Sequence, residues 1–324
     1  MKMRSILAAG VCAATLFVAG QAPAAAAYPD KPIRFVIPFP PGGTSDTLGR
    51  LVADGLSKHL GQTVIVENRP GAGTAIGTDH VAKSAPDGYT LLLTSPGVAV
   101  NAAMRKNLPY DTERDIEQIV TLSELPMVVY ASLDSKLETG KDLVAAAKKN
   151  PGTLAYGTAG NGSTGHLTMK LLEHANQIEL VHSPFQGSAP SINAAVGNHV
   201  QLAADTAYLG KPMVDAGRLK GLMIMSEKRS PLLPDVPTAE EAGLPKQVSS
   251  AWFAIAVKRG TPADISAKVN DAAVKTLAEP NVRDALLKMG MDIIGDTPQQ
   301  ADARFHEELK KMAEAVRLSG LAEQ

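Results

Sequence analysis

Two glycine-rich stretches have the residue types and spacing to hold an anion. The first runs Phe35-Val-Ile-Pro-Phe-Pro-Pro-Gly-Gly-Thr-Ser-Asp-Thr-Leu-Gly-Arg50, a strand pattern, then a glycine loop, then a helix start. The second, Leu154-Ala-Tyr-Gly-Thr-Ala-Gly-Asn-Gly-Ser-Thr-Gly-His166, repeats that order. A glycine loop that opens a helix aims unpaired backbone N–H groups and the positive end of the helix dipole at one spot. Two such loops facing each other would grip a small acid between two domains. Tight-turn glycines with no ligand are the plain structural alternative.

Other chemistries fit less well. Gly160-Asn-Gly162-Ser-Thr-Gly165 spells the G-x-G-x-x-G of dinucleotide sites. That use wants an acid about 20 residues on, at the end of the next strand. The next strand ends Leu180-Val-His-Ser183, and Glu179 falls near its start instead. Gly71-Ala-Gly73-Thr-Ala-Ile-Gly77 lacks the spacing and reads as a tight turn before a helix. There is no G-x-S-x-G elbow, because Asn161 stands two residues before Ser163 and Thr47 two after Ser45. The seven histidines show neither i, i+4 spacing nor an H-E-x-x-H pattern, so neither a metal nor a catalytic residue is expected. Asp46 and Asp205 could form an acid pair, which leaves an exported hydrolase open, although helix capping is the ordinary role for Asp46.

The elements that must position these loops alternate along the chain. Strand patterns cover Ile33–Ile37, Thr63–Glu67, Tyr89–Thr94, Met127–Ala131, Leu154–Gly157, Ile178–His182, Val200–Asp205, Leu219–Met225, Trp252–Val257 and Met291–Ile294. Most are short apolar runs, as strands covered on both faces require. Leu48, Leu51, Val52, Leu56 and Leu60 form one helical stripe; Phe305, Leu309, Met312, Ala313 and Val316 form another. Thr261-Pro-Ala-Asp264 and Thr297-Pro-Gln-Gln300 each put threonine at a helix cap and proline at the first position. The alternation predicts an α/β fold with open, largely parallel sheets flanked by helices. Leu122–Pro126 would carry the chain out of the first sheet, and the proline-rich 230–237 stretch, ending near Trp252, would bring it back. The expected domains are 28–126 with 251–324, and 127–250 as an insertion.

Composition narrows the setting. Residues 1–27 have the grammar of a cleavable secretory signal: Lys2 and Arg4, an apolar run from Ile6 to Ala19, then Ala22-Pro-Ala-Ala-Ala-Ala27. The run is shorter than the roughly 20 residues of a membrane span. A periplasmic product is expected. Cys12, the single cysteine, lies in that run in a poor lipoprotein context, so the mature chain would hold no thiol. The remaining 297 residues suit two domains. They carry 30 basic against 33 acidic residues, a net charge of −3, which argues against nucleic acid.

Several motifs in fixed order resemble the Bug receptors, the periplasmic solute-binding proteins of tripartite tricarboxylate transporters. They are Tyr28-Pro-Asp-Lys-Pro-Ile-Arg34 leading into Pro38-Phe-Pro-Pro-Gly-Gly-Thr-Ser-Asp46, Glu67-Asn-Arg-Pro-Gly-Ala-Gly73, Ala85-Pro-Asp-Gly-Tyr-Thr-Leu91, Tyr156-Gly-Thr-Ala-Gly160, Leu233-Pro-Asp-Val-Pro-Thr238 and Glu241-Ala-Gly-Leu-Pro245. The resemblance implies a two-domain, periplasmic-binding-protein-like (type II) fold joined by crossing strands and closing over a carboxylate. It further implies a monomer with no cofactor, working with a large and a small membrane subunit. A ligand-sensing receptor for a two-component system would share the same fold. By position, Gly42, Gly43 and Thr44 would offer N–H groups, Asp46 would fix waters, and Phe39 would pack on the ligand's apolar body. Thr158, Ala159, Gly160, Ser163 and Thr164 match the second loop, while Ser95 and Asp205 would edge the cleft. Thr74 stands where the family usually has glycine. Ser183-Pro-Phe185 replaces a common Val-Pro-Tyr, so Phe185 would widen the apolar part of the pocket.

Overall fold

A computed structural model of the protein describes residues 28–321; the signal-like segment lies outside the described residues. The order of elements is β1 (Ile33–Ile37), α1 (Thr44–Leu60), β2 (Val64–Asn68), α2 (Ala75–Ala82), β3 (Thr90–Thr94), α3 (Pro96–Met104), α4 (Thr112–Asp115) and β4 (Ile116–Ser132). There follow α5 (Gly140–Lys149), β5 (Ala155–Thr158), α6 (Thr164–Asn176), β6 (Val181–Pro184), α7 (Ser188–Val196), β7 (Leu202–Thr206), α8 (Ala207–Asp215) and β8 (Leu219–Met225). The chain closes with β9 (Ser250–Lys258), α9 (Ala263–Ala278), α10 (Pro280–Lys288), β10 (Asp292–Ile293) and α11 (Pro298–Ser319).

The short apolar runs form strands because their β-branched and aromatic side chains fill both faces of a helix-covered sheet. β1 and β8 fall where the sequence puts them; other strands shift by one to a few residues. β4 is far longer than expected. Its first stretch, Ile116–Pro126, carries Glu117, Gln118, Thr121, Ser123 and Glu124, which mask its strand character. Gln118 is buried there because its amide donates to Thr94 Oγ1 at 3.0 Å.

The sheet runs β2-β1-β3-β9-β4-β7-β5-β6, with β8 and β10 also on β4. It is less parallel than expected. Parallel pairing is confined to β2-β1-β3 and to β6-β5-β7, and every pair made by β4 or β9 is antiparallel. The reason is topological: β4 runs out of one half and β9 runs back, so the two lie head to tail. β4 pairs with β9 from Ile116↔Lys258 to Pro126↔Ser250, then with β7 and β8 from Met127 onward.

The α1 stripe packs as its spacing demands, with Leu48, Val52, Leu56 and Leu60 buried and Leu51 half-buried. In α11, Phe305, Leu309 and Val316 are buried, whereas Ala313 faces solvent. Thr297 forms the expected capping box with Gln300. Thr261 does not cap: Pro262 is extended, α9 starts one residue later, and the threonine hydroxyl donates to Lys258 O at 2.7 Å. One apolar cluster, Val100, Met104, Leu167 and Val316, joins α3 and α11 to α6 across the two halves.

Candidate functional site

α1 begins without a side-chain cap. Gly43 holds the N-cap position and can offer no oxygen, which leaves the N–H groups of the first turn, from Thr44 onward, open to a guest. The loop before it is pinned by Asp46, only 6% exposed. Its carboxylate accepts from Gly42 N–H at 3.0 Å, Arg50 Nε at 3.1 Å and Asn68 Nδ2 at 2.9 Å. Burial by itself would raise this carboxyl, but Arg50, Asn68 and the Gly42 amide outweigh it and hold it below the usual range. The Gly42 N–H is therefore spent inside the protein, and Asp46 ties loop, helix and β2 together.

α6 begins differently. Ser163 is its N-cap, and its Oγ accepts from His166 N–H at 3.3 Å. The Ser163 amide closes the turn on Gly160 O at 3.2 Å, so the first open donors belong to Thr164 and Gly165. A side chain at Gly165 would bring its Cβ to 2.5 Å from Ala204 O, so only glycine lets this helix end lie directly on β7. Beneath the loop, His166 and His182 stack with ring centroids 3.7 Å apart. His166 Nδ1 accepts from Gly162 N–H at 3.3 Å, and His182 Nε2 bonds Thr158 Oγ1 at 2.7 Å. Burial, then the His182 ring and Lys170, push His166 down to about 3. Burial and Lys170 push His182 down to about 4, so both rings stay neutral at ordinary pH.

The loops meet across a closed cleft. Thr44 Oγ1 and Thr206 Oγ1 share a hydrogen bond of 2.9 Å, and an ideal Cβ on Gly43 would lie 3.9 Å from Ser188 Cβ. Pro40 lies against Gly187. Gly73 has φ +65°, and a Cβ there would stand 2.2 Å from Asn161 O in the facing half. Behind these contacts is an inner chamber of about 50 Å³. Of the expected residues, Phe39, Thr44, Ser95, Ala159, Ser163, Thr164 and Asp205 line it. An outer chamber of about 220 Å³ shares Phe39, Ala159 and Ser163 as its wall and adds Gly160 and Phe185. Gly42, Gly43, Asp46 and Thr158 line neither. A larger open groove of about 820 Å³, between α3, the 105–115 loop and α11, contains none of the expected residues.

Ser95 is the N-cap of α3 and caps nothing with its side chain. Its Oγ is buried and lacks a hydrogen-bond partner among the described residues, so it is a donor waiting inside the inner chamber. Sequence reasoning missed Ser45, Ser188 and Thr206 on the same walls. The signal for Ser188 was present, since it opens α7 directly after Gly187. Phe253 arrives from β9, with no local signal at all. Thr74 lines the outer chamber at φ +99°, a backbone conformation that suits glycine better than a β-branched residue.

The starts of α1, α3, α6, α7 and α8 and several hydroxyls thus converge on one small space with no lysine, arginine or histidine in its walls. That space suits one acid group held by dipoles and neutral donors. Residues 48–321 match the family described as "Tripartite tricarboxylate transporter family receptor". Protein BugT of Bordetella pertussis is 35% identical over 324 residues, covering 99% of each chain. A Rhodopseudomonas palustris protein solved with adipate superposes with a TM-score of 0.86 at 30% identity, covering 91% of this chain and 99% of that one. MatC of the same organism, solved with bound malate, gives 0.85 at 30% identity, covering 89% and 100%. The chain belongs to the tripartite tricarboxylate transporter receptor family.

Proposed function

We propose that this receptor captures a small carboxylate in the inner chamber, with the rest of the molecule in the outer one, and hands it to the membrane subunits of a transporter. The carrying observation is the convergence of the α1 and α6 N-termini, from opposite halves of the sheet, on one closed space. The adipate and malate of its structural relatives support the same ligand class. We treat 28–126 with 251–324, and 127–250, as two lobes. The handover at Pro126/Met127 and the start of β9 at Ser250 support that division. The protein works as a periplasmic monomer with a large and a small membrane subunit, and it binds its ligand without converting it.

Closure follows from differential affinity. A shift from 1% to 99% closed needs roughly 5.5 kcal/mol of preference for the closed form. Two to four charge-assisted hydrogen bonds at about 1.5–3 kcal/mol each reach that figure. A thermal-shift screen of citrate, malate, adipate, benzoate and nicotinate, followed by calorimetry, tests the reading. At a hundredfold excess over Kd the matching acid adds about 2.7 kcal/mol, a rise of roughly 5–10 °C in Tm. Binding of a neutral or cationic solute with no response to any acid would refute it.

A further inference from the structure

The inner chamber holds one feature that an acid-binding site should avoid, a carboxylic acid of its own. Asp205, at the end of β7, is 4% exposed and lines the chamber. Among the described residues it is the sole ionisable side chain that does so. We infer that a carboxylate entering this chamber is bound together with one proton, which it shares with Asp205. This inference rests on the carboxylate reading above.

The inner chamber is small, about 50 Å³, and Asp205 forms part of its wall, so a carboxylate seated there lies close to Asp205. Like charges at that range, out of water, do not both stay ionised: one of the two takes up a proton, and the pair then titrates as a unit. The donors present are suited to one negative charge. Asp205 Oδ1 already accepts from Thr206 N–H at 2.8 Å, and the neighbouring Ser188 hydroxyl also favours its ionised form. Burial nevertheless prevails over these bonds and pushes Asp205 above the usual carboxylate range.

No lysine, arginine or histidine lines the inner chamber; on α1 Arg50 pairs with Asp46, and Arg105, just after α3, lines the outer chamber and donates to Asn101. On α6, Lys170 pairs with Glu173, and on α8, Lys211 pairs with Asp215. His166 on α6 and His182 on β6 are neutral; His166 responds to His182 and Lys170, and His182 to Lys170, neither to Asp205. On β4, Val128 lies opposite Asp205, and Tyr130 two residues on donates to Thr206 O. Burial, and after it the Asp205 charge, keep the Tyr130 phenol protonated. The proton therefore comes from solvent: one O–H bond forms on the carboxylate pair as hydronium or a buffer acid gives up its own bond to that proton. Thr206 Oγ1, 3.4 Å from Asp205 Oδ1 and 2.9 Å from Thr44 Oγ1, links that protonation to the contact between the halves.

The complex then holds more protons than the free protein, so binding is favoured as pH falls. Calorimetry with malate, adipate and benzoate, in buffers of low and high ionisation enthalpy at one pH, reads the proton count directly. The expected result is uptake approaching one proton per acid bound. Above the pH at which free Asp205 ionises, affinity should also fall about tenfold per pH unit. Asp205→Asn keeps an oxygen for the Thr206 amide and should bind with no proton uptake and a flat pH profile. If the acids bind wild-type protein with buffer-independent heats and equal affinity from mildly acid to alkaline pH, the inference is overturned while the carboxylate reading stands. Binding of a neutral or cationic solute with no response to any acid, citrate and nicotinate included, overturns both. The wild-type measurements decide the matter even where the variant folds poorly.

Discussion

Asp46→Ala separates a structural role from a ligand-binding one. The carboxylate accepts three hydrogen bonds and an ion pair, but these are unequal. Arg50 is about half exposed (its side chain 52%), so its share is that of a surface pair, at most about 1 kcal/mol. The bonds from the Gly42 amide and Asn68 end on a buried charge and are worth about 1.5–3 kcal/mol each. An acid in the first turn of α1 adds about 0.3–1 kcal/mol through the helix dipole. Allowing for water entering the gap, the loss should be about 3–5 kcal/mol, a fall of roughly 6–20 °C in Tm. Thermal and urea unfolding of the unliganded variant measure it, with acid affinity determined well below its Tm. The pH dependence carries a second signature. Because the folded carboxyl is held below its ordinary value of 3.8, its stabilisation is full above that value and is lost as pH falls through the folded one. The variant should therefore lose less stability than wild type on acidification. An unchanged Tm combined with much weaker acid binding would refute the reasoning, and would return Asp46 to the water-holding role that the motif suggests.

Gly73→Ala should weaken acid binding tenfold or more, because the added Cβ meets Asn161 O only when the halves are together. The unliganded protein should lose about 1–2 kcal/mol for the positive φ and the crowding of Asn101, and equal losses in melting and binding would count against a closure effect. The stacked histidines set an acid limit. With pKa values near 3 and 4 in the fold against an ordinary 6.5, the unfolded chain takes protons first. Stability should therefore fall as pH drops below about 6.5, continuing until the folded rings protonate. His182→Phe should make that decline shallower in melts taken between neutral pH and about pH 4; an unaltered decline would remove the pair from the account.

Much of this fold can be read from local pattern. The β1 run Ile33–Ile37 and the α1 stripe carry their periodicities openly, and the two glycine loops announce helix starts at Thr44 and Thr164. What escapes is set by partners distant in the chain. Ile116–Pro126 looks too polar for a buried strand until Thr94 satisfies Gln118. The antiparallel centre of the sheet depends on β9 returning from more than a hundred residues away. At the candidate site, residue types point to the two loops that line the chambers but not to which amides are free. The Gly42 donor is consumed by Asp46 and the Ser163 donor by Gly160, and both bonds depend on three-dimensional turns. Phe253 joins the walls through tertiary packing alone.

Entry to and exit from residues 127–250 lie side by side: Met127 N–H donates to Ser249 O at 2.9 Å, and Pro126 pairs with Ser250. Any rocking of one half against the other must pivot about these neighbouring strands. The inner chamber is walled by Met127 and Ala251, next to that fulcrum, whereas Pro40 and Gly187 meet on the outer chamber, which neither Met127 nor Ala251 lines. A small twist would part the rim widely while scarcely enlarging the deep end. Cargo would then slip its tail free first and its anchored acid last.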